Sequence, residues 1–434
     1  MCLSFYLTRI AEINTKWRLK MKKLIGNAVV GQSGGPTSAI NATLAGVIRG
    51  ALDAPDAVKT LYGMRNGVEG LLQERLIDLT EIFKDNEEKI VSLEHTPAAA
   101  LGSCRKKLPA LDTGVETYDK LLQIFKKYDI RYFFYIGGND SMDTVAKLSE
   151  YMKDKNYEMR IIGVPKTVDN DLTNTDHTPG FGTAAKYVAT TVQEIIIDCA
   201  VYKIPAVTIV EIMGRNAGWL AASAGLGEYT GGYAPDAVYF PERDFTMEGF
   251  FEDVEAAFKK HPNVVIAISE GVHFADGRYV GEGAQSGAVD VFGHKYLAGA
   301  AKVLEGEVKN RFGCKARSIE LSLPQRCAAH LGSASDINDS VAIGRAAVKA
   351  ACEGATGDMM LYKRVSNTPY VCEIDHMSVA GIANAVRFLP DEYINERGNG
   401  ITAACAEYML PLIEGETYPE YKQGLPVYFS FDKE

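Results

Sequence analysis

Short, wholly apolar runs recur along the chain, and each gives way to glycine or polar residues. Ala28–Val30 leads into Gly31-Gln32-Ser33-Gly34-Gly35, with a helix expected from about Ser38. Tyr132–Ile136 leads into Gly137-Gly138-Asn139-Asp140, after which Met142, Val145, Leu148 and Met152 fall at helical spacing. Ile161–Val164 precedes Pro165-Lys166-Thr167, Val207–Val210 precedes Glu211-Ile212-Met213-Gly214-Arg215, and Val264–Ile268 precedes Ser269-Glu270-Gly271. Apolar runs of this length suit strands buried on both faces. Their alternation with helices predicts an α/β fold with mainly parallel sheets flanked by helices. In such sheets ligands bind beyond the carboxyl ends of the strands, so these turns are expected to converge on one cleft. Glycine after a single strand needs no more than a tight turn. The repetition, with charges and hydroxyls beside the glycines, asks for more.

The turns differ in what they offer. Ser33-Gly34-Gly35 before a helix directs backbone N–H groups outward, a ready anion site, although it matches neither a Walker loop nor a dinucleotide fingerprint. In the second turn Asp140 stands beside Gly138 and Asn139. A carboxylate next to a phosphate nest makes sense as a Mg²⁺ ligand or as a device that excludes extra negative charge, and a helix cap is compatible with both. The third turn, Pro165-Lys166-Thr167-Val168-Asp169-Asn170-Asp171, is expected to be extended, with Asp169 and Asp171 pointing the same way. A carboxylate can accept the proton of a hydroxyl nucleophile, and Lys166 could neutralise charge on a transferring phosphoryl group. Phosphoryl transfer asks for little beyond positioning, cations and a base. Gly214 would let backbone approach a ligand, with Arg215 beside it. Glu270 could accept hydrogen bonds from sugar hydroxyls, and Arg317 and Gln325-Arg326 could hold a terminal phosphate through the planar guanidinium fork.

Composition narrows the class. The 434 residues suggest about three domains, or two larger ones. A net charge of −10 argues against a nucleic-acid or membrane-surface binder but not against small anions met by a local set of cations. No apolar run is long enough to span a membrane. Eight scattered cysteines without a C-x-x-C pair read as reduced thiols of a cytoplasmic protein. The 41 glycines exceed the usual share of ~7%, which asks where they sit. Residues 1–23, basic and without a cleavage site, read as an N-terminal extension.

Taken together, Gly31–Asn41, Tyr62-Gly63-Met64-Arg65-Asn66-Gly67, Gly137–Ser141, Pro165–Asp171, Glu211–Gly218 and Pro324-Gln325-Arg326 resemble the 6-phosphofructokinase family. The likeness runs from about Leu24 to about Arg326 and more loosely beyond. Asp140 and Lys166, where ATP-dependent members have glycine, look like the pyrophosphate-dependent branch. An α-phosphate ~4 Å from the Asp140 carboxylate would cost about 4 kcal/mol at an effective dielectric near 20, and pyrophosphate escapes that clash.

The resemblance implies a phosphofructokinase-like architecture of two Rossmann-like domains. Residues 24–180 plus about 325–400 would hold the phosphoryl donor, and 181–324 plus about 401–434 the sugar phosphate. It implies conversion of fructose 6-phosphate and pyrophosphate to fructose 1,6-bisphosphate and phosphate, reversibly and with Mg²⁺. Asp169 would be the base for the 1-hydroxyl, with Lys166, Asp171 and Arg215 as its catalytic companions. Gly35, Arg105, Gly138, Asp140 and Ser141 would meet the donor. Thr167, Val168, Asp169, Met213, Gly214, Arg215, Glu270, Gln325 and Arg326 would hold the sugar phosphate. Arg317 would reach it across a subunit interface, implying a homodimer or homotetramer with shared sites. The family's metal-binding Asp is Asn139 here, so the metal would fall to Asn139 or Asp140. Leu323 replaces a usual His or Tyr, and a further interface Arg finds only Ala206, with Lys203 nearby. An ATP-dependent member and a non-catalytic regulatory subunit are the alternatives. The presence of Asp169, Lys166 and Arg215 speaks against the second.

Overall fold

The computed structural model describes residues 24–284, 299–380, 382 and 385–433. The expected N-terminal extension lies outside the described residues. Two sheets organise the rest. The first is built from β1 (Gly26–Gln32), β2 (Val58–Met64), β3 (Leu76–Asp78), β4 (Ile130–Gly137) and β5 (Arg160–Pro165). The second contains β6 (Ala206–Ile212), β7 (Ala237–Tyr239), β8 (Asn263–Ser269) and β9 (Lys315–Glu320). The chain then returns to the first sheet through β10 (Asp358–Asn367) and β11 (Tyr370–Ser378). The strand orders are β11-β10-β5-β4-β1-β2-β3 and β7-β8-β6-β9. All five apolar runs are strands, and β1, β4 and β5, like β6 and β8, pair in parallel.

The runs are continuous because both faces are covered. Tyr132, Phe134 and Ile136 of β4 pack with Ile40, Leu44 and Ile343 from the helices Ile40–Leu52 and Ala334–Cys352. The alternate residues Phe133 and Tyr135 pack on the opposite face against Met142, Val145 and Leu148 of the helix Asn139–Asp154. In the second sheet, Val207 and Ile209 of β6 face the helices Met247–Phe258 and Ala300–Phe312, while Val210 and Ile212 face the helix Phe181–Cys199. Each fully buried aliphatic or aromatic side chain contributes roughly 1.5–3 kcal/mol. The end of the chain crosses back over the first sheet, where Phe429 and Phe431 pack on Phe83.

The first helix begins at Ile40, two residues after the expected start. The glycines have a second use that composition left open. A Cβ on Gly46 would stand 2.1 Å from the Val341 carbonyl oxygen, and one on Gly344 would stand 2.2 Å from that of Thr43. The helices Ile40–Leu52 and Ala334–Cys352 thus touch backbone to backbone.

Candidate active site

The carboxyl ends of β1, β4, β5, β6 and β8 open on one cleft, so the five turns converge as expected. Of the residues singled out from sequence, all but Gly214 and Arg317 line it. Gly214 lies just behind, with φ +143°. Its N–H approaches Glu270 Oε1 at 3.4 Å, and its carbonyl accepts from Ser269 Oγ at 2.6 Å. Arg317 sits on β9, the edge of the second sheet, opposite Thr208. It faces a separate shallow depression beside Tyr202 and Ile204, away from its own chain's cleft.

Pro165 ends β5, and the residues after it form a turn rather than the expected extended segment. The Asp169 N–H donates to Thr167 Oγ1 at 3.2 Å, and Asn170 takes a left-handed φ of 53°. Side-chain competition for the backbone bends the chain here. Even so, Asp169 and Asp171 both face the cleft. Burial raises the pKa of Asp169, opposed by the charges of Lys166 and Arg215. Burial first and the neighbouring Asp169 second push Asp171 up to about 7. Glu270 is pushed to about 7 by burial and, again, by Asp169.

Lys166 is buried and donates from Nζ to the Gly35 carbonyl at 2.6 Å, which ties the β5 turn to the β1 turn. Burial lowers its pKa to about 8, despite the opposing pull of Asp169. Arg326 is lowered by burial and by Arg105 beside it. Its carbonyl accepts from Ser38 Oγ at 3.3 Å, and Gln325 Oε1 accepts from the Met213 N–H at 3.2 Å. Arg215 Nε is buried without a partner, an orphaned donor on the cleft wall. Buried polar groups of this kind call for a ligand or water.

At the opposite end, the helix Asn139–Asp154 starts on the cleft with Gly138 as its N-cap, so Asn139 and Asp140 do not cap it with their side chains. Asp140 is not a lone charge. Lys107 Nζ stands 2.8 Å from its Oδ1, with both groups part-exposed. The pair weakens the simple like-charge repulsion of an α-phosphate, and a bulky donor would have to break it. Lys106 and Lys107 were not singled out from sequence, although the basic run Arg105-Lys106-Lys107 carried the signal. Asn139 Oδ1 is buried and without a partner. Among the described residues no cluster of three His, Cys, Asp or Glu side chains could hold a metal by itself. None of their helices is long and apolar enough to cross a membrane.

The phosphofructokinase family model matches residues 27–351. A pyrophosphate–fructose 6-phosphate 1-phosphotransferase of Halomonas elongata is 42% identical over 402 residues, covering 92% of this chain and 94% of that protein. Its counterpart in Methylococcus capsulatus is also 42% identical, over 93% of this chain and 95% of that protein. The crystal structure of a pyrophosphate-dependent phosphofructokinase from Nitrosospira multiformis superposes with a TM-score of 0.84 at 38% identity, covering 93% of this chain and 96% of that one. The chain belongs to the phosphofructokinase family.

Proposed function

We propose that the protein transfers a phosphoryl group from pyrophosphate to the 1-hydroxyl of fructose 6-phosphate, releasing phosphate, in either direction. The observation that carries this reading is the pairing of Asp140 with Lys107 at one end of the cleft and buried Lys166 between the donor turn and Asp169 at its centre. The names of the relatives at 42% identity agree with it. Gly35, Arg105, Gly138 and Ser141 bind pyrophosphate. Arg326, Arg215, Met213 and Glu270 bind the sugar phosphate, and Arg215 Nε gains the anionic partner it lacks. Asp169 takes the proton of the attacking hydroxyl. Asp171, a second buried carboxylate beside it, raises the pair's affinity for that proton. Lys166 sits where the transferring group's equatorial oxygens gather charge, and its ammonium is fixed in place by the Gly35 carbonyl.

Phosphofructokinases use a divalent metal, and Mg²⁺ suits this site. Asn139 and Asp140 would hold it, since a hard cation takes oxygen ligands and Asn139 Oδ1 is unpaired. Its charge would offset that of pyrophosphate, which would supply the remaining ligands. Residues 24–180 with about 325–400 form the donor domain in this reading, and 181–324 with about 401–434 the acceptor domain. Arg317 serves the partner subunit's site in at least a homodimer. Free thiols at the described cysteines fit a cytoplasmic setting.

The deciding experiment compares kcat/KM with pyrophosphate and with ATP on the purified protein. The expected ratio is at least about tenfold in favour of pyrophosphate, since the Lys107 pairing and solvent leave only part of the like-charge repulsion at Asp140. Comparable rates with ATP would overturn the donor assignment.

A further inference from the structure

The turn that carries both cleft carboxylates is anchored from a distant part of the chain. Asn170 stands between Asp169 and Asp171, fully buried and left-handed. Its side-chain amide donates to the Tyr408 hydroxyl at 3.0 Å, across 238 positions of sequence. That hydroxyl donates in turn to the Asp176 carbonyl at 2.6 Å. Tyr408 belongs to the helix Ala403–Met409, and two guanidinium groups approach its ring, Arg364 at 4.5 Å and Arg387 at 5.5 Å from the centroid. Both arginines also grip the turn region. Arg364 Nη2 donates to Asp176 Oδ2 at 2.8 Å, and the Arg387 backbone N–H donates to the Asp171 carbonyl at 2.8 Å. None of Tyr408, Arg364 and Arg387 lines the cleft.

We infer that Tyr408 is a positioning residue for phosphoryl transfer: its hydroxyl locks Asn170 in the left-handed conformation that turns Asp169 and Asp171 into the cleft. The inference rests on the phosphotransferase reading of the site. Asparagine tolerates the left-handed region because its short polar side chain finds a local partner. Remove the hydroxyl and the Asn170 amide is buried without an acceptor, a state that buried donors avoid. The backbone relieves it by relaxing, and the carboxylates on either side move with it. The ring itself keeps its contacts with Trp219, Tyr393 and the two guanidinium groups, so packing survives the change.

The test uses Tyr408→Phe, Asn170→Gly and the double variant in the full-length protein. Asn170→Gly keeps the positive φ accessible but removes the amide. For Tyr408→Phe, kcat with pyrophosphate is expected to fall roughly ten- to a hundredfold, the loss typical of a misplaced reacting group, while KM for fructose 6-phosphate stays within about twofold. The double variant is expected to lose less than the sum of the two single losses, because both changes break the bond between Asn170 and Tyr408. Amide hydrogen exchange across residues 166–178 is expected to speed up in Tyr408→Phe, and this readout does not depend on turnover. Wild-type kcat, a loss confined to KM, additive losses in the double variant or unchanged exchange would each overturn the inference. A wild-type protein inactive with pyrophosphate would instead overturn the functional reading, and the exchange result would still judge the role of Tyr408 in holding the turn.

Discussion

At the scale of single residues, the cleft is a set of groups held away from their ordinary ionisation. The Asp169 and Asp171 carboxyls are raised by burial, Asp171 to about 7, and Lys166 is lowered to about 8. The base must be ionised to accept a proton, so activity is lost as pH falls through the carboxylates' raised range. Lys166 must be charged, so activity is lost again as pH rises through about 8. A bell in kcat/KM is expected, with its acid arm above the ordinary carboxylate value of about 4, because burial raises the Asp169 carboxyl. In Lys166→Arg the alkaline arm should vanish, because a guanidinium stays protonated throughout. A pH–rate profile of both proteins checks this. Asp140 leads to a second expectation. Asp140→Gly should raise kcat/KM for ATP and lower it for pyrophosphate, since the change removes a carboxylate and leaves the Lys107 cation at that end of the cleft. Adding Lys107→Ala should cancel most of the ATP gain. The presence of these residues was legible in the sequence. That Asp140 is paired was not, because nothing in local spacing says which lysine reaches it.

At the scale of elements, the strand-and-turn pattern was readable because strands buried on both faces leave unbroken apolar runs, and polar residues can return only where a strand ends. The geometry inside the turns was less readable. Pro165 to Asp171 reads as extended from its alternation, yet Thr167 and Asn170 bend it through local hydrogen bonding and a left-handed residue. The glycines also separate into kinds. Gly214 has φ +143°, and a Cβ there would meet the Ala217 carbonyl oxygen at 2.6 Å. Gly138 has φ −90°, and the nearest atom to its Cβ would be 3.6 Å away. Gly214→Ala should therefore cost roughly 1–3 kcal/mol of stability and raise KM for the sugar phosphate severalfold. Gly138→Ala should leave the melting temperature within about 2 °C, a stability change of a few tenths of a kcal/mol. Calorimetry with initial-rate kinetics distinguishes the two.

At the scale of the whole molecule, the cleft lies between two sheets and the second sheet has an open edge. Arg317 sits on that edge next to a cluster of exposed apolar side chains, Ile197, Val201, Tyr202 and Ile204, each more than half exposed. Apolar area of this kind marks a contact surface. If the proposed homodimer forms through this edge, Ile204→Glu should give monomers in sedimentation and abolish most activity. Arg317→Ala should leave the assembly intact and raise KM for fructose 6-phosphate about tenfold or more, as expected for loss of a charged phosphate contact. By itself, the sequence determined the layered α/β pattern, the five turns and the presence of Lys166, Asp169 and their neighbours in them, because periodicity and residue type act locally. Only the tertiary structure decided that Lys107 neutralises Asp140, that Gly46 and Gly344 let two helices touch, that Arg317 faces away from its own cleft, and that Tyr408 holds Asn170. Each of these depends on which distant segments the folded chain brings within a few ångströms, and side-chain spacing along the chain does not encode that distance.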